Sequence, residues 1–562
     1  MDLVSIGHRT VKVAAPVLLL VSLFVAMLLL IGLSGNFPLN DDWSYGEGVR
    51  HLLRGHGLVM PTVCAPGIAH VALGLIASKI FGYSYTSLRL CSFVITFIGA
   101  LALFDAAASL RIPRRDAVFI ALVYAANPVL INVAFSFMSD STGLALNMIF
   151  LACLLRAQAQ KSVKMALLAF FFLLLAISVR QSALIFLALA PFCLSSNLAS
   201  TKNRHLILAA LFALPLVSAW CCDYWLTHRP SALGFVNHDY QMVRQSHAAV
   251  VNKLLTAPHQ MILPTVSAMG QLLCYLALYT LPALVAFLWL VKQAGKWSAT
   301  TIKIAVVVVL ILLSSALLTV VYYHQTMPFA ENIWRVTTIG AQGLLGIIRK
   351  PVPERRRMLL SIFSFVMTVP LTLTIVSMFR GVFKKPLNWR LAAISSCLLA
   401  AFAFLTIETL VRCTDRYYLI ALAPMLLCLG LMARRYRISL VNPLSVLLLV
   451  LLAAYSIAGN QEYLSSNRAR WLAIEWLESR GVEHEELDGG CEYNVLRDLS
   501  VYNSKYRGEP PRDSWRWWPI KGENYLISYS PVPGYKMVHQ EPYYSLLDRK
   551  KHNIEVLEKE SD

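Results

Sequence analysis

Charge is scarce in this chain: only 14% of its 562 residues are Asp, Glu, Lys or Arg, against 57% hydrophobic. Apolar runs of 17 to 25 residues recur along most of its length, each long enough to cross the hydrocarbon of a bilayer, so an ordinary soluble protein is excluded. The eleven cysteines contain no Cys-x-x-Cys, only a vicinal Cys221–Cys222 pair, which removes the usual redox and structural-zinc motifs. Most lie within apolar runs, where cysteine behaves as a small hydrophobe. Cys64, Cys413 and Cys491 fall in predicted outer segments, and nothing selects a disulfide pair among them. There is no internal repeat, low-complexity tract or coiled coil. A basic module interleaved with aromatics is also lacking, so the net charge of +19 does not indicate a nucleic-acid partner. Lys and Arg gather instead in short loops between apolar runs, as cytoplasmic loops do. The first run, Val11–Leu33, is too long for a signal peptide and has no clear small-residue cleavage site, so it reads as a retained span.

What is present gives an α-helical polytopic membrane protein. His8, Arg9 and Lys12 place the N-terminus in the cytoplasm. Thirteen spans follow from the charge punctuation, including Ser87–Leu110, Ile304–Tyr322, Met358–Phe379, Leu391–Leu410, Tyr418–Met432 and Val446–Ala458. An outer loop over residues 35–85 carries an amphipathic part, Tyr45–Gly57, and an apolar part, Ala65–Phe81. Arg349, Lys350 and Arg355–Arg357 break the charge pattern: either Val336–Ile348 is an extra crossing, or these cations bind an anion outside. The expected domains are a membrane module over 1–460 and a small extracytoplasmic α/β domain over 461–562. In the latter, Arg468–Ser479 reads as a short helix, with strands at Tyr525–Tyr529 and Tyr535–His539 around Pro531-Val532-Pro533-Gly534.

Against so apolar a background the outer-edge polar residues stand out. Asp41 and Asp42 follow the first span in Asn40-Asp41-Asp42-Trp43-Ser44-Tyr45. An Asp costs roughly 2.5–3.5 kcal/mol at the centre of a membrane helix, so acids are sparse in such chains. A pair at a membrane mouth suits proton transfer or metal binding, while two solvated caps of a helix is the plainer reading. Asp140 lies between spans 3 and 4, Arg180 between spans 5 and 6, and all emerge on one predicted face. Together they offer a carboxylate to accept a hydroxyl proton and a guanidinium to hold a phosphate leaving group. Asp140 also reads as a helix cap, Arg180 as an interfacial anchor, and Arg416 beside Tyr417–Tyr418 as part of an aromatic belt. His51, His56 and His70 share the first outer loop without a diagnostic metal spacing, and Trp515, Trp517 and Trp518 could stack on sugar.

In order along the chain, Asp41–Asp42, Phe81-Gly82-Tyr83-Ser84 with Leu88-Arg89-Leu90, Met138-Ser139-Asp140-Ser141, Val179-Arg180-Gln181 and Asp415-Arg416-Tyr417-Tyr418 resemble the outer-edge motifs of GT-C membrane glycosyltransferases. That group includes protein O-mannosyltransferases and lipid A aminoarabinose transferases. The resemblance covers about residues 10–460; Asp42 stands where Glu is more usual. It implies a GT-C-like fold of about thirteen spans, a polyprenyl-phosphate sugar donor, an envelope lipid, glycan or protein acceptor, and inversion at the anomeric carbon. By position it implies Asp41 as base, with Asp42 and Asp140 supporting it or sharing a divalent cation, Mg2+ or Mn2+. Arg180 and Arg416 would hold the donor phosphate, and Trp43, Tyr45, Glu331 and Arg335 would contact acceptor or sugar. The expected location is the cytoplasmic (inner) membrane, with the C-terminal domain periplasmic or extracellular.

Two other functions compete. A polyprenyl-lipid or glycan transporter, or flippase, would carry ionisable residues or broken helices near mid-membrane, often with repeat symmetry. A membrane scaffold with a glycan-binding outer domain would tolerate loss of Asp41.

Overall fold

The structure is a computed structural model. It describes residues 3–61, 63–194, 204–228, 238–288, scattered residues between 303 and 314, 325–346, 352–382, 388–412, 414–497 and 522–560. Most of the expected span at Ile304–Tyr322 lies outside the described residues, as do Cys413, Arg349, Lys350, Trp515, Trp517 and Trp518.

The fold is helical with one small sheet. Helix α1 is Leu3–Ile31. In the loop that follows, α2 (Asp42–Leu53) and α3 (Ile68–Phe81) form two short helices. Helix α4 (Tyr85–Ser109) begins in a reciprocal cap: the Ser84 hydroxyl accepts from the Ser87 amide, and Ser87 returns the bond to the Ser84 amide. Helices α5 (Arg114–Ala125) and α6 (Pro128–Ala134) are bent by 66° to each other. Asn127-Pro128 makes that bend: the Asn side chain accepts from the amides of Val129 and Leu130, and the proline starts the new helix. Helix α7 (Ser139–Gln160) packs along α4 and along α8 (Val163–Val179). Gly99 lets α4 and α7 close up, since a Cβ there would sit 2.8 Å from the Ala145 Cα.

Helices α9 (Arg204–His228), α10 (His238–Thr256) and α11 (Pro258–Tyr279) follow, then α12 (Glu354–Val382), α13 (Trp389–Arg412) and α14 (Leu419–Tyr436). Among the described residues eight helices are long and apolar enough to cross a membrane, or nine with the bent pair as one span. Over its described residues the expected sixth span, about Ala183–Leu198, is a 3-10 stretch, Gln181–Leu189, running into a short helical turn, Ala190–Leu194. Residues 336–346 form bends and bridges rather than a helix, so within the described residues they make no extra crossing.

Helix α15 runs unbroken over Pro443–Glu478, where the sequence suggests a span and a separate short helix. Its final turns, through Ala469, Ala473, Ile474 and Leu477, form one core with Leu487, Tyr493, Ile527, Ile554 and Val556. The last span and the C-terminal unit are thus one rod. The sheet holds β1 (Leu487–Asp488), β2 (Tyr525–Ser528), β3 (Tyr535–Ser545) and β4 (Lys550–Lys559), in the order β1-β2-β4-β3. Strands β2 and β3 do not pair with each other; both pair antiparallel with β4. A short helix, α16 (Cys491–Arg497), precedes the undescribed stretch.

Candidate active site

Four of the residues singled out in the sequence meet at one place. Asp140 lies in the first turn of α7, and Arg180 caps the C-terminus of α8. Arg416 sits in the 3-10 turn Asp415–Tyr418 that leads into α14, and Asp41 precedes α2. The Arg180 Nη1 is 3.0 Å from the Asp140 Oδ2 and donates to the Ser139 hydroxyl at 3.2 Å. The Arg416 Nη2 donates to the Asp41 Oδ2 at 3.1 Å, and its Nη1 lies 3.9 Å from the Asp140 Oδ2. Both guanidinium groups lie by the ring of Tyr417, at 5.3 Å and 5.8 Å. Asp41 is 55% exposed while Arg416 is 12% exposed, so an accessible carboxylate rests on a buried cation.

Asp140, Arg180, Arg416 and Tyr417 line a cavity of about 310 Å³. The buried Arg416 Nε and Asn147 Oδ1 have no hydrogen-bond partner there, while the Asp140 Oδ2 and Arg416 Nη1 are met only by ion pairs, at 3.0 Å to Arg180 and 3.9 Å to each other. Buried polar atoms are nearly always hydrogen-bonded, so two orphans around one cavity call for a polar ligand. On the other wall, the His247 Nε2 is 2.9 Å from the Glu408 Oε1 and its Nδ1 is 2.7 Å from the Val243 carbonyl. Two acceptors on one ring favour imidazolium, and the Glu408 hydrogen bond raises the His247 pKa. Arg244 also lines the cavity. Its cations (Arg180, Arg244, Arg416, His247) outnumber its carboxylates (Asp140, Glu408), which suits a phosphate-bearing ligand.

His247, Glu408, Arg244, Tyr240 and Asn147 escaped the sequence reading. For Glu408 a signal existed, since an acid within an apolar run is itself a functional pointer.

Asp41 reaches the site through Arg416 and does not itself line the cavity, and neither do Asp42, Trp43, Tyr45, Glu331 and Arg335. Asp42 is fully buried and turned inward: its Oδ1 accepts from the Leu39 amide at 2.5 Å and its Oδ2 from the Phe137 amide at 3.2 Å. Burial pushes its pKa up to about 8, against the opposing pull of Arg89 and those two amides. Trp43 is buried at 4% exposure. Tyr45 is also buried, its hydroxyl accepting from Ser139 at 3.0 Å behind the Asp140 carboxylate. Glu331 and Arg335 lie in a strap, residues 325–346, whose Ile333 and Trp334 amides donate to the Asp415 carboxylate. Burial raises the Glu331 carboxyl, while Arg335 and Arg357 draw it back down. His70 has both ring nitrogens engaged, with the Thr142 hydroxyl at 2.8 Å and the Phe137 carbonyl at 3.1 Å.

The expected carboxylate set does not fit a divalent cation. Asp42 spends its oxygens on backbone amides, and Asp41 and Asp140 each face guanidinium groups. Among the described residues, three metal-capable donors gather only at Glu462, Asp548 and His552, within 4.8 Å of one another, between α15 and the C-terminal sheet.

The comparisons with known proteins follow this geometry. Residues 67–222 match a family described as dolichyl-phosphate-mannose-protein mannosyltransferase. The matched stretch, under half of the chain, holds Asp140 and Arg180 but neither Asp41 nor Arg416. Over it the chain resembles the expected class of membrane glycosyltransferase. Among solved structures, ArnT from Cupriavidus metallidurans in the apo state is 14% identical, with 97% of this chain and 98% of that chain covered and a TM-score of 0.37. The same protein bound to undecaprenyl phosphate gives 13% identity, 96% and 97% coverage and a TM-score of 0.36. The oligosaccharyltransferase AglB from Archaeoglobus fulgidus, in complex with an inhibitory peptide and a dolichol-phosphate, is 13% identical with a TM-score of 0.39. That alignment takes in 89% of this chain but spans only 61% of the archaeal chain. No curated protein matches the sequence.

Proposed function

We propose that the chain is a glycosyltransferase that moves a sugar from a polyprenyl-phosphate donor to a hydroxyl of a cell-envelope acceptor. The observation that carries this reading is the pair of guanidinium groups on one cavity wall, Arg180 and Arg416, the latter bridging Asp41 and Asp140 with its buried Nε unpartnered. The guanidinium groups of Arg416 and Arg180 hold the donor phosphate, the geometry for which a planar, always-charged fork is suited. Asp41, at the exposed edge, takes the acceptor proton. The acceptor oxygen attacks the anomeric carbon from the face opposite the phosphate. The carbon–oxygen bond to phosphate breaks, and the bonding pair leaves on the phosphate oxygen beside Arg416. Attack from the opposite face inverts the anomeric configuration. Asp140 pairs with Arg180 and Arg416 and keeps both in register.

The basic ends of the same helices support a site on the outer face. Helix α4 starts against the loop that leads to Asp41, with the Tyr85 amide donating to Asn36, and ends near Arg111, while the last turn of α14 carries Arg434, whose Nη1 donates to the Leu110 carbonyl at 3.0 Å. Positive charge at those ends faces the cytoplasm under the positive-inside tendency. The cavity then opens to the periplasm or exterior, and the N-terminus is cytoplasmic. The transporter reading has less behind it, because Asp41, Asp140 and Glu408 gather at one end of the bundle.

The test is transfer by purified protein from a panel of labelled polyprenyl-phosphate sugars, wild type against Asp41→Asn. The expected result is turnover with at least one donor and a loss of about a hundredfold or more in Asp41→Asn, within the range of general-base effects of about 10²–10⁴. Equal turnover by both proteins would remove Asp41 from the mechanism.

A further inference from the structure

The loop that presents Asp41 is built from both ends of the chain. Its membrane-side support is Arg89 of α4, fully buried, which donates to the Gly35 carbonyl at 2.7 Å and to the Phe37 carbonyl. Its other supports come from more than 400 residues later. Arg468 donates to the carbonyls of Ser34 at 3.0 Å, Ile31 at 3.1 Å and Gly32 at 3.0 Å. Trp471 stacks on Phe37, with ring centroids 5.9 Å apart. The Glu492 Oε1 accepts from the amide of Asn40, the residue before Asp41, at 2.9 Å.

Glu492 is itself held. Its Oε2 accepts from the Arg470 Nη1 at 2.8 Å, and both side chains are almost wholly buried. The Arg470 Nε donates to the Gly489 carbonyl at 2.9 Å. Asn40 adopts a φ of +55°, a left-handed conformation that needs a local reason to persist. A charge-assisted bond to its amide supplies one, because it fixes the Leu39–Asn40 peptide one residue before Asp41.

Resting on the catalytic reading of Asp41, we infer that Glu492, locked by Arg470, is a positioning residue through which the C-terminal domain aims the Asp41 carboxylate at the cavity. The C-terminal domain then sets the geometry of the base rather than only covering the site. Docking of the α15 rod and assembly of the catalytic loop become one event.

The test uses full-length protein in nanodiscs. Removing Glu492 alone would strand a buried arginine, so the variant is the double substitution Glu492→Leu with Arg470→Met. A second double, Glu492→Gln with Arg470→Met, restores an acceptor for the Asn40 amide without the charge pair. A third variant, Gly343→Ala, perturbs Glu492 from outside: a Cβ there would lie 2.5 Å from the Glu492 Oε2 and must displace it. It keeps the test open if the first double fails to fold.

Two readouts are taken. Amide exchange in a peptide covering residues 36–45 should be at least about tenfold faster in the leucine double and in Gly343→Ala, and largely restored in the glutamine double. For transfer, kcat should fall about ten- to a hundredfold, the scale of a small misplacement of a reacting group, with the donor KM within about twofold of wild type. Unchanged exchange overturns the inference, and so does faster exchange with unchanged kcat. A rise in KM at constant kcat overturns it as well, since that would mark a binding role. If wild type shows no transfer with any donor, the glycosyltransferase reading falls, while exchange alone still decides whether Glu492 holds Asn40. If Asp41→Asn is inactive but the Glu492 doubles turn over normally, only the positioning role falls.

Discussion

Two adjacent carboxylates, Asp41 and Asp42, have opposite fates, and the start of α2 between them is the cause. Asp41 stands outside the helix and reaches Arg416, whereas Asp42 opens the helix and turns into the protein. The buried Asp42 has its pKa raised to about 8 by burial, above its ordinary value. A carboxyl raised on folding binds more protons in the native than in the unfolded state. Its contribution to stability is therefore fully present below the ordinary carboxylate range and is lost as pH rises towards 8. Asp42→Asn leaves one of the Leu39 and Phe137 amides without its acceptor, a cost of about 1–3 kcal/mol. The expected outcome is a lower melting temperature than wild type near pH 5, with the gap narrowing towards pH 8, read by thermal unfolding in detergent across that range. His247 behaves in the reverse sense of charge. Its raised pKa keeps a cation in the cavity beyond the ordinary histidine range, and that cation is lost as pH rises through the shifted value. The donor KM of wild type should then increase as pH rises above the ordinary histidine range. His247→Gln should show a KM already several-fold higher and flat with pH; a KM profile in His247→Gln that still follows wild type would assign the titration to another group.

At the scale of elements, the strap over residues 325–346 is what ties the membrane bundle to the C-terminal sheet near the site. One end is held by Asp415, which takes the Ile333 and Trp334 amides next to Arg416. At the other end Leu345 bridges to Ser528 of β2, and the Leu345 carbonyl accepts from the Tyr529 amide at 3.0 Å. Asp415→Ala strands two buried amides at about 1–3 kcal/mol each. It should lower the melting temperature and open the strap to limited proteolysis between residues 325 and 346, with reduced turnover because the Arg416 turn loosens with it. Resistance of the variant to protease at wild-type level would show that the strap does not depend on Asp415. The sequence foreshadowed some elements and hid others for physical reasons. Asp41, Asp140, Arg180 and Arg416 were legible because ionisable groups at the edges of apolar runs are conspicuous. Glu408 was readable as an acid inside an apolar run, but Leu405-Thr406-Ile407-Glu408-Thr409-Leu410-Val411 gives no hint of which cavity or partner it meets. Strand β4 was hidden because Lys550–Lys559 is half charged and shows apolar residues only at Ile554, Val556 and Leu557. The tie of Glu492 to Asn40 joins residues 452 apart, and no local pattern can announce such a contact.

For the molecule as a whole, the direction in which the site faces is the property on which its biology turns. The cavity and the basic loops occupy opposite ends of the same helices. Helix α7 runs from Ser139, beside Asp140, to Gln160, which Lys161 caps, over 22 residues, a rise of roughly 33 Å, about the thickness of the hydrocarbon core. His56, exposed after α2, lies with the outer loop on the cavity side, and Lys164, exposed in the first turn of α8, lies on the basic side. Labelling should separate them in a background where the exposed Cys64 and Cys221 are replaced by serine. In intact cells stripped of any outer permeability barrier, a membrane-impermeant maleimide should label His56→Cys at once and Lys164→Cys only after the membrane is opened. The reverse pattern would place the cavity in the cytoplasm, where a nucleotide-linked sugar is a ready donor and a lipid carrier has no topological purpose. Labelling of both residues without permeabilisation would instead mean that the segments between them, α4, the α5–α6 pair and α7, do not cross the bilayer an odd number of times. The acids at the cavity and the basic residues at the far helix ends would then not be separated by the membrane.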